Sequence, residues 1–149
     1  MTEDTDHLHR YINAQENVYP KVIQELQDAD KQSHWMWYIF PQISGLGHSS
    51  TAQYYAIKNA DEAREYLAHP VLGMRIVECT KILIAHCGSS AIDIMGDIDA
   101  VKLRSSMTLF AHVTDSDSVF QQALDKYFDG ELDHMTLDIL SALRTKQGE

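Results

Sequence analysis

The sequence predicts a mainly α, compact single-domain protein over residues 1–149, with one short aromatic segment left open between an extended strand and a helical turn. Three observations predict it. Apolar residues recur at spacings of three and four along most of the chain, the period of a helix buried on one face. Asn, Asp, Ser and Thr stand ahead of several of these stretches, and Gly or Pro follows them, as helix caps and stops. The composition is that of an ordinary globular chain, 44% hydrophobic and 23% charged over 149 residues, with no internal repeat, low-complexity tract or linker.

A first helix over 6–14 places Leu8, Tyr11 and Ile12 on one side. A second, over about 17–28, buries Val22, Ile23 and Leu26, with Asn17 as its cap and Pro20 tolerated in the first turn. Segment 31–42 carries both tryptophans, Trp35 and Trp37, and its aromatics suit either a short strand or a buried helical turn that Pro41 ends. A glycine-bearing loop over 43–51 leads into a helix from near Thr51. A helix over 61–68, capped by Asn59 or Asp61, stops at His69 and Pro70. Segment 71–87 is the most apolar and the candidate for the central helix, with Leu72, Ile76, Val77, Cys79, Leu83 and Ile84 inside and Gly88 as its stop. A short turn over 90–95 precedes Gly96. Helices over 99–113, 117–128 and 136–143 complete the chain, the second of them stopped by Asp129 and Gly130.

Charge excludes some functions. With 22 acidic against 12 basic residues the net charge is −10, and no basic run supplies a patch to hold a nucleic-acid backbone or an anionic membrane. The apolar run at 82–85 is too short to cross a bilayer, and the acidic start at 1–6 is unlike a secretory signal, so a soluble cytoplasmic protein is expected. Cys79 and Cys87, two turns apart on one predicted helix, would have Cα atoms about 12 Å apart, too far for a disulfide, and are expected to be reduced and buried. Neither they nor the eight histidines show metal-ligand spacing, and no serine sits in a nucleophile elbow. No metal and no cofactor is predicted, and no catalytic residue is assigned.

Three constellations carry chemistry. In the first, Trp35 and Trp37 offer flat faces for a planar ligand, with Lys31, Ser33 and His34 for its polar groups; the same aromatics also suit plain core packing. In the second, Gly45, Gly47, His48 and Ser49 precede a helix start, a place where backbone N–H groups attract anions, or else a loop with an ordinary serine cap. In the third, Lys102 and Ser106 flank the apolar arc of Leu103, Met107 and Phe110, with Ser105 alongside. There Lys102 either holds a ligand anion or lays its aliphatic stem over the core, and Asp93, Asp97 and Asp99 are candidate partners for Lys102 or Arg104.

Segments 31–42, 66–73 and 102–110 together resemble a bacterial family catalogued as Domain of Unknown Function 1810, over nearly the whole chain. That resemblance implies a compact, mostly helical domain and no activity. A more distant similarity is to the helical domain family named for NAD and ADP-ribose, seen in the order of the helix end at 69–72, the acidic turn at Asp97 and the lysine-bearing block after it. It implies an ADP-ribose-type ligand and cleavage of N-glycosidic bonds, and no catalytic residue carries over. The expected function is therefore binding of a phosphate-bearing aromatic metabolite, a nucleotide or an ADP-ribose derivative, in one pocket lined by the three constellations; if it is an enzyme, the expected reaction is hydrolysis of an N-glycosidic bond, with His34 or a nearby carboxylate for proton transfer and Lys102 holding charge. The rival expectation is a non-catalytic interaction protein or homodimer.

Overall fold

The computed structural model describes residues 7–146, with side chains as far as Arg144, and among these residues the fold is all helix. In chain order the elements are α1 (His9–Gln15), α2 (Tyr19–Gln27), α3 (Met36–Ile39), α4 (Ser50–Tyr55), α5 (Ala60–Ala68), α6 (Leu72–Ala85), α7 (Ala91–His112), α8 (Val119–Phe128) and α9 (His134–Lys146). The expected helix start at residue 6 lies outside the described residues. No described helix is long and apolar enough to cross a membrane.

Local chemistry sets most boundaries. The side chains of Ser49, Asn59 and Ser118 each accept a backbone N–H at the start of α4, α5 and α8, which satisfies one of the donors a helix start leaves open. Asn17 does not cap α2: Val18 holds that position without a side-chain bond, and Pro20 sits in the first turn. The aromatic segment resolves as a helical turn, and among the described residues no strand lies beside it to pair with. The one backbone bridge nearby joins Ile43 to Ile57 and anchors the following loop. At the other end of α8, Asp129 takes a left-handed conformation and Gly130 follows at positive φ.

Ser90 and Asp93 form a reciprocal capping box at the start of α7. The helix then breaks at Gly96, whose φ of 89° and ψ of 165° no helical residue adopts, and starts anew. The turn expected over 90–95 is instead the capped first stretch of α7, and the helix expected from 99 is its continuation after the break.

Both long helices line the core. α6 lies against α2, α5 and α8, and α7 against α5, α8 and α9. α6 contributes Leu72, Ile76, Cys79 and Leu83, and α7 contributes Leu103, Met107, Leu109 and Phe110. The centre expected of 71–87 alone is thus shared with α7. Cys87 departs from expectation: α6 ends at Ala85, His86 is extended, and Cys87 falls off the apolar stripe into solvent, while Cys79 stays buried.

Candidate functional site

Segment 31–42 is folded by a residue that sequence reasoning passed over. Glu25, on the inner face of α2 and only 7% exposed, accepts hydrogen bonds from Gln32 N (3.0 Å), Ser33 N (3.0 Å), Ser33 Oγ (2.6 Å) and Trp35 Nε1 (2.9 Å). Burial alone raises a carboxyl pKa, but the Ser33, Gln32 and Trp35 donors outweigh it and hold Glu25 down to about 2. A signal was present: Glu25 lies on the same helical stripe as Val22 and Leu26, where a carboxylate is costly without partners.

This hub decides which tryptophan is available. Trp35 is core, 1% exposed, with its indole N–H on Glu25, so the expectation that it lines a pocket is corrected. Ser33 is likewise occupied by Glu25. Lys31 is occupied too: its Nζ lies 2.7 Å from Asp99 Oδ2 and 4.7 Å from the Trp35 ring centroid, and it donates to Ser33 O. Its backbone N–H reaches Ile94 O at 2.8 Å, which stitches the segment to α7. Asp99 therefore serves Lys31, and not Lys102 or Arg104 as expected. Trp37 is half-buried, and the Lys102 Nζ stands 5.3 Å from its ring centroid. His34 is exposed nearby.

The third block divides in the same way. Arg104 donates to the carbonyls of Glu131 (3.2 Å) and Leu132 (2.9 Å). Thr108 Oγ1 accepts from Asp133 N at 2.9 Å, and Ser105 Oγ donates to Asp133 Oδ2 at 3.1 Å. Asp133 in turn takes the N–H of Thr136 at 3.1 Å at the start of α9. Arg104, Ser105 and Thr108 thus fasten the connection into α9. Ser106 is buried in the core and not in a cleft, and among the described residues its Oγ has no hydrogen-bond partner. Lys102 remains, with no carboxylate partner among the described residues.

Two adjoining clefts meet at Trp37, Ile98 and Lys102. The first, about 550 Å³, is bounded by Lys31, His34 and Met36 on one side and by the break in α7 from Met95 to Asp99 on the other. The second, about 620 Å³, reaches Gly47, His48 and Ser49 of the loop before α4, and Val101, Ser105 and Met135 beyond. Gly45 lines neither; at φ 111° it turns the loop with its α-carbon face against Ile139. Of the sequence-predicted residues, Lys31, His34, Trp37, Gly47, His48, Ser49, Lys102 and Ser105 come together on these clefts, and Ser33, Trp35, Gly45 and Ser106 do not.

Chemically, the clefts offer one aromatic face, one ammonium group free of a carboxylate among the described residues, and the imidazoles of His34 and His48. They also border the point where α7 restarts after the non-helical Gly96, the kind of place at which backbone N–H groups can meet an anion. Asp97 adds an exposed carboxylate at the rim. Among the described residues no group of three His, Cys, Asp or Glu side chains is placed to hold a metal ion.

Residues 5–140 match the model of a family described as "Protein of unknown function (DUF1810)". A crystal structure of the conserved hypothetical protein Rv1873 from Mycobacterium tuberculosis is similar throughout, with 44% sequence identity and a TM-score of 0.88 over 90% of this chain and 96% of that one. No curated protein matches.

Proposed function

The chain belongs to the DUF1810 family of proteins of unknown function, and from that premise we propose that its paired clefts bind a phosphate-bearing aromatic metabolite, of nucleotide or ADP-ribose type, across Trp37 and Lys102. The Lys102–Trp37 pair carries this reading. Lys31, Ser33 and Trp35 in one block and Arg104, Ser105 and Thr108 in the other are consumed by the fold, whereas these two side chains face each other where the clefts join. A planar ring stacks on Trp37, and the phosphate takes the Lys102 ammonium and the N–H groups that follow Gly96. A volume of about 550 Å³ is of the size that small-molecule sites use. His34 and Asp97, at the same cleft, are the groups that hydrolysis of an N-glycosidic bond would use for proton transfer.

Thermal shift against adenosine, AMP, ADP-ribose and NAD tests binding. The phosphate-bearing compounds should stabilise the protein by about 2.7 kcal/mol at 100 times Kd, and adenosine far less. Lys102→Ala should weaken the phosphates on the order of 10-fold without lowering the melting temperature of the free protein. Unchanged melting with every compound, or ligand shifts indifferent to both Lys102→Ala and Trp37→Ala, would refute the reading. Chromatographic detection of released base from NAD or AMP tests hydrolysis apart from binding.

A second reading has its own observation. Ile98, Val101 and Met135 are 73%, 65% and 61% exposed along the second cleft, an apolar flank suited to a second copy of the chain. Sedimentation equilibrium would show a dimer that Ile98→Glu dissolves; a monomer at every concentration would refute it.

A further inference from the structure

The two clefts differ in chemistry as well as in position. Beyond the residues they share, the second is walled by Leu46, Ala52, Val101 and Met135, which suit a flat ring. The carboxylate on its wall, Asp133, already receives Ser105 Oγ and the Thr136 N–H, each at 3.1 Å. The first cleft is the more charged. Lys31 and Asp99 lie on it as an ion pair at 2.7 Å and offset each other. Asp97 is exposed on the same cleft, so its carboxylate remains there as uncompensated negative charge.

Lys102 belongs to neither end. It lines both clefts at their junction, beside Trp37 and Ile98. A phosphate drawn to its ammonium therefore has open volume on two sides, about 550 Å³ on one and about 620 Å³ on the other. A terminal phosphate, with its nucleoside in the second cleft, leaves the first one empty. Charge also opposes an uncapped phosphate chain running into that cleft. Its last phosphate would carry nearly two negative charges at neutral pH and would meet Asp97. A phosphate linked on both sides carries one, and a neutral group beyond it can offer Asp97 hydroxyls, from which a carboxylate accepts hydrogen bonds.

Resting on the binding reading above, we propose that the phosphates of the ligand are internal: joined on one side to a nucleoside and on the other to a neutral, hydroxyl-bearing group, the chemistry of a nucleotide sugar. The ring lies in the second cleft, the phosphates at Lys102, and the hydroxyl-bearing cap in the first cleft. Asp97 sets the choice, repelling an uncapped terminal phosphate and accepting the hydroxyls of the cap.

The test is calorimetry with AMP, ADP and ADP-glucose, which share adenosine monophosphate and differ only beyond it. ADP-glucose should bind more tightly than ADP on the order of 10-fold, and Asp97→Asn should narrow that gap to about threefold, chiefly by tightening ADP. His34→Trp crowds the first cleft only and Met135→Trp the second only, both at exposed positions, so the variants should fold, which their melting curves verify. ADP-glucose should lose affinity in both, and AMP in Met135→Trp alone. Failure of all three compounds to bind would overturn this proposal together with the reading it rests on. AMP binding that Lys102→Ala weakens, with ADP as tight as ADP-glucose or with ADP-glucose indifferent to His34→Trp, would overturn the capped ligand alone.

Discussion

Replacing Glu25 by Gln should cost this protein a large part of its stability at neutral pH and almost none in strong acid. The carboxylate is buried and takes four hydrogen bonds from Gln32, Ser33 and Trp35, which hold its pKa at about 2 against an ordinary 4.5. At 1.36 kcal/mol for each tenfold change in acidity, that difference amounts to about 3 kcal/mol. The sign follows from linkage. A carboxyl whose pKa is lower folded than unfolded contributes fully above the unfolded value and loses its contribution as pH falls through the folded one. Wild type should therefore shed about 3 kcal/mol between roughly pH 5 and pH 2 through this group, beyond whatever other acids contribute. Glutamine keeps the shape and one accepting oxygen but not the charge, so the variant should already lack most of that contribution at pH 7. For a chain of this size the melting temperature should fall by roughly 6–12 °C. Urea unfolding of both proteins at pH 7, 5, 4, 3 and 2 measures the gap at each pH. A gap below about 0.5 kcal/mol at pH 7, or one that stays constant down to pH 2, would refute the assignment of Glu25 as the organiser of this segment.

Three further outcomes follow from the geometry. At Gly73 a β-carbon would lie 2.0 Å from the Leu67 carbonyl oxygen, so Gly73→Ala must part α5 from α6 and should cost roughly 1–3 kcal/mol in urea unfolding. Native thiol labelling should modify the exposed Cys87 quickly and Cys79 only on unfolding, since burial pushes the Cys79 thiol up to about 12; mass mapping of the labelled peptides distinguishes them. Asp133→Ala removes an acceptor shared by Ser105 and Thr136 and should lower stability by about 1–2 kcal/mol, with hydrogen exchange rising first in α9.

Helices and caps were legible in the sequence because their determinants are local. The apolar stripe of α2, the serine before α4, and the stop at Asp129 and Gly130 each act within a few residues of themselves. Segment 31–42 was not legible, because its conformation depends on an acid in the preceding helix. Trp35 and Trp37 look equivalent in sequence, and only the Glu25 carboxylate draws one indole inward and leaves the other at the surface. Cys87 was misplaced for a related reason: apolar periodicity runs past Ala85, but the chain turns extended at His86 before Gly88 is reached.

The candidate site follows the same logic of competition for partners. Asp99 stands three residues before Lys102 on one helix, a spacing at which the two would ordinarily pair for a few tenths of a kcal/mol. It pairs instead with Lys31, whose side chain is only 5% exposed. A buried ammonium without a carboxylate costs several kcal/mol, far more than the surface pair would gain, so the buried lysine takes the acid. In a chain with ten more acids than bases, Lys102 is thereby left over the ring of Trp37 at the junction of two clefts. The carboxylate that would quench it is held elsewhere by the fold, and the cation stays available to an anion brought from outside.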